Sequence, residues 1–282
     1  MSNPIYPCLW FDNQAKEAAE YYCSVFDNSK MLSENPIVVQ FEIAGKKILG
    51  LNGGPLFKIN PSISLFITCD TDEEIESIWK KLCDGGKIMM ALDKYPWSEK
   101  YGWVADKFGM TWQIMKSYAP GSGQTIIPSF LFVGEQYGKA QEAVKYYTSV
   151  FPDSKINSMH LYLPGEEQPE GNLKFGHFTL RGEMFSAMDG SGDHNYNFNE
   201  GVSLVVECDD QKEIDYFWDK FISEGEESQC GWLKDKFGVS WQIIPAMLGS
   251  LLNDPVKAGK VTDAFMKMKK LDIETLVKAA NS

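Results

Sequence analysis

The chain has 282 residues, of which 44% are hydrophobic and 23% charged, and this length and composition predict a globular protein with two domains. Its formal net charge of −12 argues against polyanionic partners, so neither nucleic acid nor an anionic membrane surface is expected to bind it. No apolar run approaches the roughly 20 residues of a membrane-spanning helix, and the first residues lack the pattern of a secretory signal.

The first 52 residues predict a β-α-β-β-β unit. The apolar run 5–11 is typical of a strand, and small and aromatic residues recur at helical spacing from Ala15 to Phe26. Asp12 or Asn13 is expected to cap this helix, because a short side-chain oxygen can accept from the free N–H groups of the first turn. Three strands follow, near 30–34, 37–43 and 46–52.

The same order of elements begins again at residue 63. Strand 63–69 leads into helix 72–83, for which Asp70 or Thr71 is the expected cap. Residues 93–97, which include Trp97, are predicted to form a loop. Three further strands are predicted near 87–90, 101–106 and 110–116.

The second half of the chain repeats the first in five blocks. Residues 17–30 read E-A-A-E-Y-Y-C-S-V-F-D-N-S-K and residues 142–155 read E-A-V-K-Y-Y-T-S-V-F-P-D-S-K, an offset of 125 positions. Later blocks recur in the same order and end with D-K-F-G and W-Q-I in each copy. Each copy therefore holds two β-α-β-β-β units, and the predicted fold class is α+β. The predicted division is a first domain at 1–119, a linker at 119–124, a second domain at 125–246 and a helical tail at 247–282.

The tail is predicted to be helical throughout. Its helices are expected at 246–252, at 255–268 and at 273–280. Asp254 and Asp272 are the expected caps of the second and third helix.

The six cysteines show no spacing typical of a metal site or a disulfide framework. They lie far apart in the sequence, at Cys8, Cys23, Cys69, Cys83, Cys208 and Cys230. This pattern predicts reduced thiols in a cytoplasmic protein. No histidine stands beside any of them in the sequence to activate a thiolate, so a cysteine nucleophile is not expected.

Four segments follow a pattern shared with a known family. They are L-W-F-D at 9–12, the pair Tyr21-Tyr22 with Phe26, K-F-G-M-T-W-Q-I at 107–114, and the counterpart of the last segment at 236–243. With these residues the chain resembles the PhnB-like group of the vicinal oxygen chelate superfamily over nearly its whole length. The resemblance implies tandem domains of the glyoxalase/bleomycin-resistance type, in which paired units curve around a cup.

The resemblance also has implications for the oligomeric state and for a proposed enzymatic activity. Single-copy relatives pair as dimers, so a fused chain is expected to be a pseudo-dimeric monomer or a homodimer of it. Some members carry the label demethylubiquinone methyltransferase. The chain has no G-x-G-x-x-G loop to hold a nucleotide-like cofactor, so methyl transfer is not expected.

Enzymes of the superfamily hold a divalent metal in the cup with His and Glu side chains. The resemblance places the matching positions of this chain at Ile5, Ile126, Ser64, Ser203, Gln113 and Gln242. Isoleucine cannot ligate a metal, and neutral Ser and Gln oxygens are weak ligands for zinc, nickel or iron(II). The chain has three histidines, all in the second repeat, so neither a metal nor another cofactor is expected.

Alternation along the strands identifies side chains that would face a cup, and the polar phase of each strand is assigned to it. The candidate ligand-binding residues are Gln40, Glu42, Ser64, Phe66, Trp97, Trp103, Gln113, His177, Ser203, Glu207, Trp232 and Gln242. The two glutamines carry both donor and acceptor atoms, which suit an uncharged polar ligand. Trp97 either covers a planar ligand or packs against Tyr95 and Tyr101.

Three hypotheses of function remain open. The first is a metal-free protein that binds an unidentified small molecule, in repeat one or in a site shared by both repeats. The second is a metal-dependent isomerase, lyase or dioxygenase-type enzyme with the unusual ligands Glu42, Glu207 and His177. The third is a structural or interaction module whose cup is filled by side chains and whose tail binds a partner.

Overall fold

The structure is a computed structural model that describes residues 3–117, 121 and 123–282. Ala119, Pro120 and Ser122 of the predicted linker lie outside these residues. The helices and strands follow the predicted order closely, and the tandem fold predicted from the sequence is confirmed.

The first repeat holds two helices and eight strands. These are β1 (Ile5–Phe11), α1 (Ala15–Val25), β2 (Lys30–Glu34), β3 (Val38–Ile43), β4 (Lys46–Asn52), β5 (Ile63–Cys69), α2 (Asp72–Cys83), β6 (Lys87–Tyr95), β7 (Ser98–Ala105) and β8 (Thr111–Lys116).

The second repeat has the same order, with a single 3-10 turn at Gly134–Gln136 added before its first helix. Its elements are β9 (Thr125–Phe132), α3 (Ala140–Val150), β10 (Lys155–Leu161), β11 (Leu173–Leu180), β12 (Glu183–Asp189), β13 (Val202–Cys208), α4 (Gln211–Ile222), β14 (Glu226–Glu227), β15 (Trp232–Lys234) and β16 (Ser240–Pro245). The tail forms α5 (Leu248–Asn253), α6 (Ala258–Phe265) and α7 (Ile273–Asn281).

The strands form two eight-stranded sheets, and each sheet takes one unit from each repeat. Sheet A has the order β14-β15-β16-β13-β1-β4-β3-β2, and sheet B has the order β10-β11-β12-β9-β5-β8-β7-β6. The repeats meet where β1 pairs antiparallel with β13 and where β5 pairs antiparallel with β9. The sheets therefore do not follow the domain boundaries drawn from the sequence repeat, which stay a prediction.

The four helices of the repeats form a layer between the two sheets. In α1, the ring of Tyr22 lies 6.1 Å from Phe41 of sheet A and 5.1 Å from Trp112 of sheet B. In α3, Tyr147 contacts Trp241 of sheet A and Phe130 of sheet B in the same way. One continuous apolar core fills this layer, so the opposite face of each sheet is turned outward. No helix within the described residues has the length and apolar character needed to span a membrane.

The helix caps differ from the prediction at α1. Neither Asp12 nor Asn13 caps it, because the helix begins two residues later, behind Gln14. The first amide, that of Ala15, donates instead to the Asn52 side chain from the end of β4, 2.9 Å away. The caps Thr71 and Asp272 are confirmed, and Thr71 forms a reciprocal capping box with Glu74.

Two further predictions are corrected by the structure. Residues 93–97 are not a free loop, because β6 and β7 extend into one long hairpin whose turn is at 96–97. Asp254 does not cap α6 directly. Its carboxylate accepts from the amides of Val256 and Lys257 in the turn before the helix, which begins only at Ala258.

A buried aspartate holds together the last hairpin of each repeat. Asp235 accepts four hydrogen bonds, from the Tyr147 hydroxyl at 2.7 Å, the Trp241 indole at 2.8 Å, and the amides of Phe237 and Val239 at 2.8 and 3.1 Å. In the first repeat, Asp106 accepts from Trp112, Phe108 and Met110 in the same pattern.

The tyrosine position differs between these two clusters, and this difference gives a matched pair of variants. Tyr22 lies near Asp106 in the first cluster, but its buried hydroxyl forms no hydrogen bond to any described residue. We expect Tyr147→Phe to lower the free energy of unfolding by about 2 kcal/mol, because it removes a hydrogen bond to a buried carboxylate. We expect Tyr22→Phe to change it by less than about 0.5 kcal/mol, since no formed bond is lost. Urea unfolding of both variants tests this, and an equal loss in the two would contradict it.

Candidate functional site

The outward faces of the two sheets form two candidate sites. Cup A is the face of sheet A turned away from α1–α4, and its centre holds the buried cluster Tyr6, Cys8, Leu49 and Val205. Cup B is the corresponding face of sheet B, and its centre holds the buried cluster Phe66, Tyr101 and Ile127. Because each sheet joins units of both repeats, each cup is shared between them.

The candidate residues divide between the cups. Alternation along the strands places six on the outward face of sheet A, namely Gln40, Glu42, Ser203, Glu207, Trp232 and Gln242. It places five on the outward face of sheet B, namely Ser64, Phe66, Trp103, Gln113 and His177. The twelfth, Trp97, lies in the turn of the β6–β7 hairpin.

Cup A is filled by a polar cluster at one end. The Tyr6 hydroxyl donates to Glu207 at 2.6 Å, and the Lys47 ammonium lies 2.8 Å from the same carboxylate oxygen. The ammonium also lies 4.1 Å from the centre of the Tyr6 ring, a cation–π contact. Burial raises the pKa of the Tyr6 phenol, which stays protonated and keeps donating. These side chains satisfy one another, so they offer little to a ligand.

The tail helix α5 closes the other side of cup A. Ile244 on β16 packs against both the cup cluster and the tail cluster around Leu248. The side chain of Gln40 on β3 lies close to Gly249 in α5. A Cβ built on Gly249 would lie 3.6 Å from the side-chain amide nitrogen of Gln40. Four strand spacings separate β16 from β3, about 19 Å in a flat sheet. One short helix touches both strands because the sheet curves around it, and it therefore lies across the mouth of cup A.

A small cavity remains in cup A beside Trp232. It measures about 140 Å³ and is lined by Glu200, Glu226, Glu227, Lys234 and Ser240 among others. Sites for small molecules are usually roughly 300–1,000 Å³. Lys234 pairs with Glu200 at 2.9 Å and Lys269 pairs with Glu227. The cavity is therefore smaller than such sites, and much of its charge is already paired.

Three side chains on the floor of cup B are linked by consecutive hydrogen bonds. The Tyr101 hydroxyl donates to the Gln113 carbonyl oxygen at 2.8 Å, and the Gln113 amide donates to the Ser64 hydroxyl at 2.7 Å. All three side chains are buried, so the chain is rigid. In cup A the equivalent Gln242 donates to Ser203 at 3.0 Å, but no tyrosine stands at the position of Tyr101.

Several polar atoms on the floor of cup B have no partner among the described residues. The hydroxyls of Thr111, Ser129 and Ser186 and the indole N–H of Trp103 are all shielded from solvent without a hydrogen bond. On the outward face of sheet A, only the Ser240 hydroxyl shares this condition. An unpaired buried hydroxyl lowers stability by about 1–3 kcal/mol. A ligand that accepted a hydrogen bond from one of these groups in cup B would remove this penalty.

His177 lies at the side of this floor. It stands opposite Ser186 in the pairing of β11 with β12, and its ring lies 4.7 Å from that of Phe175. Burial, and secondarily the nearby His160, lower the pKa of His177, so the ring is neutral at pH 7. The third histidine, His194, lies in the segment between β12 and β13 and contacts the carbonyl of Ser191.

Trp97 forms an aromatic cluster with its neighbours. Its ring stacks on Tyr95 with centroids 5.1 Å apart and meets Tyr101 edge-on at 5.9 Å. The indole stays 53% exposed. Since Tyr101 also donates to Gln113, this cluster is continuous with the floor of cup B.

The residues present do not fit a glyoxalase-type metal site. The described part of the chain contains no group of three or more His, Cys, Asp and Glu side chains that could hold an ion. His177 lies on sheet B whereas Glu42 and Glu207 lie on sheet A, and both glutamates are engaged by lysines. Ile5 and Ile126 point into the helix-side core. The second hypothesis therefore lacks its ligand set.

The cysteines do not supply a nucleophile in either cup. Cys8 faces cup A, and burial raises the pKa of its thiol to about 12, so a thiolate is not populated at neutral pH. Cys69 packs into the helix-side core, where burial likewise raises its pKa to about 12. Cys230 is partly exposed and contacts the sulfur of Met266 in the tail.

A further cavity lies outside both cups. It measures about 500 Å³ and opens between the end of α3 and the start of α4, near Val150, Tyr216 and Phe217. Its polar groups are already used: Glu213 pairs with the buried guanidinium of Arg181, and Asp210 caps α4. This groove therefore presents few unsatisfied groups to a ligand.

Four residues of the two cups were missed in the sequence. Ser129 lies between Ile127 and Leu131 in the outward phase of its strand, and Ser186 between Met184 and Met188, so a search for polar phases passes over them. The alignment of the repeats offers a signal for Ser129, because it occupies the place of Cys8. Tyr6 and Lys47 meet only through the pairing of β1 with β4 and β13, which the sequence does not give.

A family model described as 3-demethylubiquinone-9 3-methyltransferase matches twice, at residues 3–115 and 124–244. The PhnB protein of Bacillus cereus, described with the same methyltransferase name, is 32% identical over 41% of this chain and 100% of its own, with a TM-score of 0.39. No curated protein matches the chain in sequence.

Solved glyoxalase I structures resemble the whole fold. Glyoxalase I of Zea mays has a TM-score of 0.54 and covers 86% of this chain and 92% of its own at 10% identity. A point mutant of the same Zea mays enzyme has a TM-score of 0.57 with the same coverage and identity. At this identity the likeness concerns the fold alone.

Proposed function

We propose a function from the premise that this chain belongs to the family described as 3-demethylubiquinone-9 3-methyltransferase, as a tandem PhnB-like member of the vicinal oxygen chelate superfamily. The chain binds a small, uncharged, planar molecule in cup B without a metal. One observation carries this proposal: buried polar atoms without partners gather on the floor of cup B, whereas cup A is filled and covered.

The aromatic side chains of cup B suit the faces of such a ligand. Phe66, Phe175 and Trp103 stand around the unpaired hydroxyls, and the hairpin cluster of Tyr95 and Trp97 continues this apolar wall. Sites of this kind combine apolar walls with a few placed polar groups. The third hypothesis, a filled module, is supported for cup A, where Tyr6, Lys47 and Glu207 satisfy one another and helix α5 covers the sheet.

Neither methyl transfer nor metal chemistry is part of the proposal. The sequence contains no G-x-G-x-x-G motif for a nucleotide-like cofactor, and the described residues contain no group of His, Cys, Asp and Glu side chains that could hold a metal. Elemental analysis of the protein purified without added metal or tag histidines checks this point. A transition metal near one equivalent would contradict a metal-free binder.

The pseudo-symmetry supplies a matched test of the binding site. Gln113 and Gln242 occupy equivalent places, and each donates to a serine on the cup floor. We expect Gln113→Leu to weaken binding at least about tenfold, because it breaks the Tyr101–Gln113–Ser64 chain that fixes the floor of cup B. We expect Gln242→Leu to leave binding unchanged. A thermal-shift screen with nicotinamide, uracil, lumichrome and 4-hydroxybenzamide identifies a binder, and titration calorimetry measures it.

Both variants lose the glutamine–serine hydrogen bond, and Gln113→Leu also loses the bond from Tyr101, so the melting temperature of each variant is measured beside its affinity. An equal loss of affinity in both, or a loss only in Gln242→Leu, would place the ligand outside cup B. Equal affinity for wild type and both variants would also place the ligand outside cup B.

A further inference from the structure

A row of three serines and a histidine crosses the floor of cup B. In the strand register, His177 stands opposite Ser186, Ser186 opposite Ser129, and Ser129 opposite Ser64. Neighbouring strands lie about 4.8 Å apart, so these side chains follow one another at about that interval. The four strands come from both repeats, and the row crosses the junction of β9 with β5.

The centre of this row has unused donors. The hydroxyls of Ser129 and Ser186 have neither a protein partner nor contact with solvent, and both residues are at least 99% buried. Ser64 is different, because its hydroxyl accepts from Gln113. Two adjacent hydroxyls are thus free to donate toward the same point above the floor.

An aromatic pair covers these hydroxyls. Along β5, Phe66 follows Ser64 and stands opposite Ile127, on one side of the row. Along β11, Phe175 precedes His177 and stands on the other side of the row, because β11 and β12 are antiparallel. The two rings nevertheless approach to 6.0 Å between centroids. They therefore meet above Ser129 and Ser186, where a flat ligand would lie.

The charges near the row exclude an anionic ligand. The row contains no lysine or arginine, and burial lowers the pKa of His177, which is neutral at pH 7. Lys174 on the same strand is in the opposite phase from Phe175 and His177, is exposed to solvent, and pairs with Glu166 at 2.6 Å. A carboxylate or phosphate would lose its hydration without gaining a positive partner.

We propose that Ser129 and Ser186 form a carbonyl-binding subsite, and that the ligand of cup B is a flat aromatic ketone. Its carbonyl oxygen accepts from the two hydroxyls, and its ring inserts between Phe66 and Phe175, whose rings must separate to admit it. The inference rests on the proposed function and adds to it the chemical class of the ligand and its orientation.

The test uses two probes of the same shape on the intact chain. 9-Fluorenone carries one carbonyl, and fluorene lacks it. We expect fluorenone to bind wild type more tightly than fluorene, by about tenfold for each hydrogen bond gained. With ¹³C at the carbonyl, we expect the infrared band of bound fluorenone to lie below its position in hexane. In the double variant Ser129→Ala/Ser186→Ala, we expect both the band shift and the preference for fluorenone to be lost.

Two controls separate this inference from a change in folding. Ser203→Ala removes a serine from cup A, and we expect it to leave fluorenone binding unchanged. The melting temperature of the double variant is expected to stay level or rise, since it removes two unpaired buried hydroxyls. A double variant that melts lower would show that the two hydroxyls have partners and would count against the subsite.

The outcomes distinguish this inference from the proposed function. If both probes bind equally and the carbonyl band stays unshifted, cup B binds planar molecules but the carbonyl subsite is wrong. If neither probe binds, the ketone class is overturned, and the glutamine pair with the wider panel still decides the proposed function. If fluorenone binding is lost in Ser203→Ala instead, the ligand lies in cup A and both proposals fail.

Discussion

Replacing Asp235 with alanine is expected to lower the free energy of unfolding by about 4 kcal/mol. The carboxylate accepts four hydrogen bonds from side chains and amides that have no contact with water, and alanine would leave these donors unpaired. The loss also removes the link between α3, through Tyr147, and the last hairpin, through Trp241. Urea unfolding monitored by tryptophan fluorescence measures the effect.

The first repeat and the surface supply the controls for Asp235. Asp106→Ala removes three accepted bonds in the equivalent place and should lower the free energy of unfolding by a smaller but still large amount. Asp193→Ala, at an exposed position, should change it by less than about 0.5 kcal/mol. If Asp235→Ala behaved like Asp193→Ala, the cluster would not be a structural centre of the fold.

The same carboxylate predicts a dependence of stability on pH. Burial raises the pKa of Asp235 from 3.8 to about 6, against the opposing effect of its hydrogen bonds. The folded state therefore holds a proton that the unfolded chain has lost between about pH 4 and pH 6. The stability from this proton is complete below about pH 4 and is lost as the pH rises to about 6.

Asp235→Asn cannot titrate and isolates this effect. The free energy of unfolding of wild type minus that of the variant should fall between about pH 4 and pH 6 and stay constant above it. A difference that rises with pH across this window would show that the four hydrogen bonds outweigh burial.

Dividing the chain between the repeats should give two fragments that require each other. Fragments 1–123 and 124–282, produced together, are expected to purify as a one-to-one complex. The β1–β13 junction pairs five residues of one repeat with five of the other, and the β5–β9 junction pairs six with six. Each of these strands is central in its sheet, so an isolated fragment would expose unpaired backbone and apolar side chains.

Affinity capture of one tagged fragment and sedimentation analysis of the complex measure this dependence. A second fragment carrying Leu204→Pro in the middle of β13 is the control, since proline removes a donor from a central strand, and it should no longer be retained. A fragment that is monomeric alone and unfolds cooperatively would contradict the shared sheets.

The repeat and the strand periodicity were sufficient to predict the order of the elements. The block E-A-A-E-Y-Y and its copy place α1 and α3, because apolar spacing and a local turn depend on neighbours in sequence. Thr71 could be predicted as a cap because its partner, Glu74, is three residues away. At α1 the same reasoning failed, because the acceptor for Ala15 is Asn52, which only the pairing of β1 with β4 brings near.

The cup-facing side of most candidates also followed from alternation, since Phe41 and Ile43 fix the phase of Gln40 and Glu42. Which cup each residue enters did not follow, because it depends on β1 pairing with β13 rather than with another strand. The contact of Tyr6 with Glu207, the row of Ser186 and Ser129, and the closure of cup A by α5 all join distant segments. The sequence by itself determined the four β-α-β-β-β units and the presence of only three histidines. Only the tertiary structure decided that one cup is filled while the other keeps unpaired donors, since both conditions arise from side chains that meet across strands.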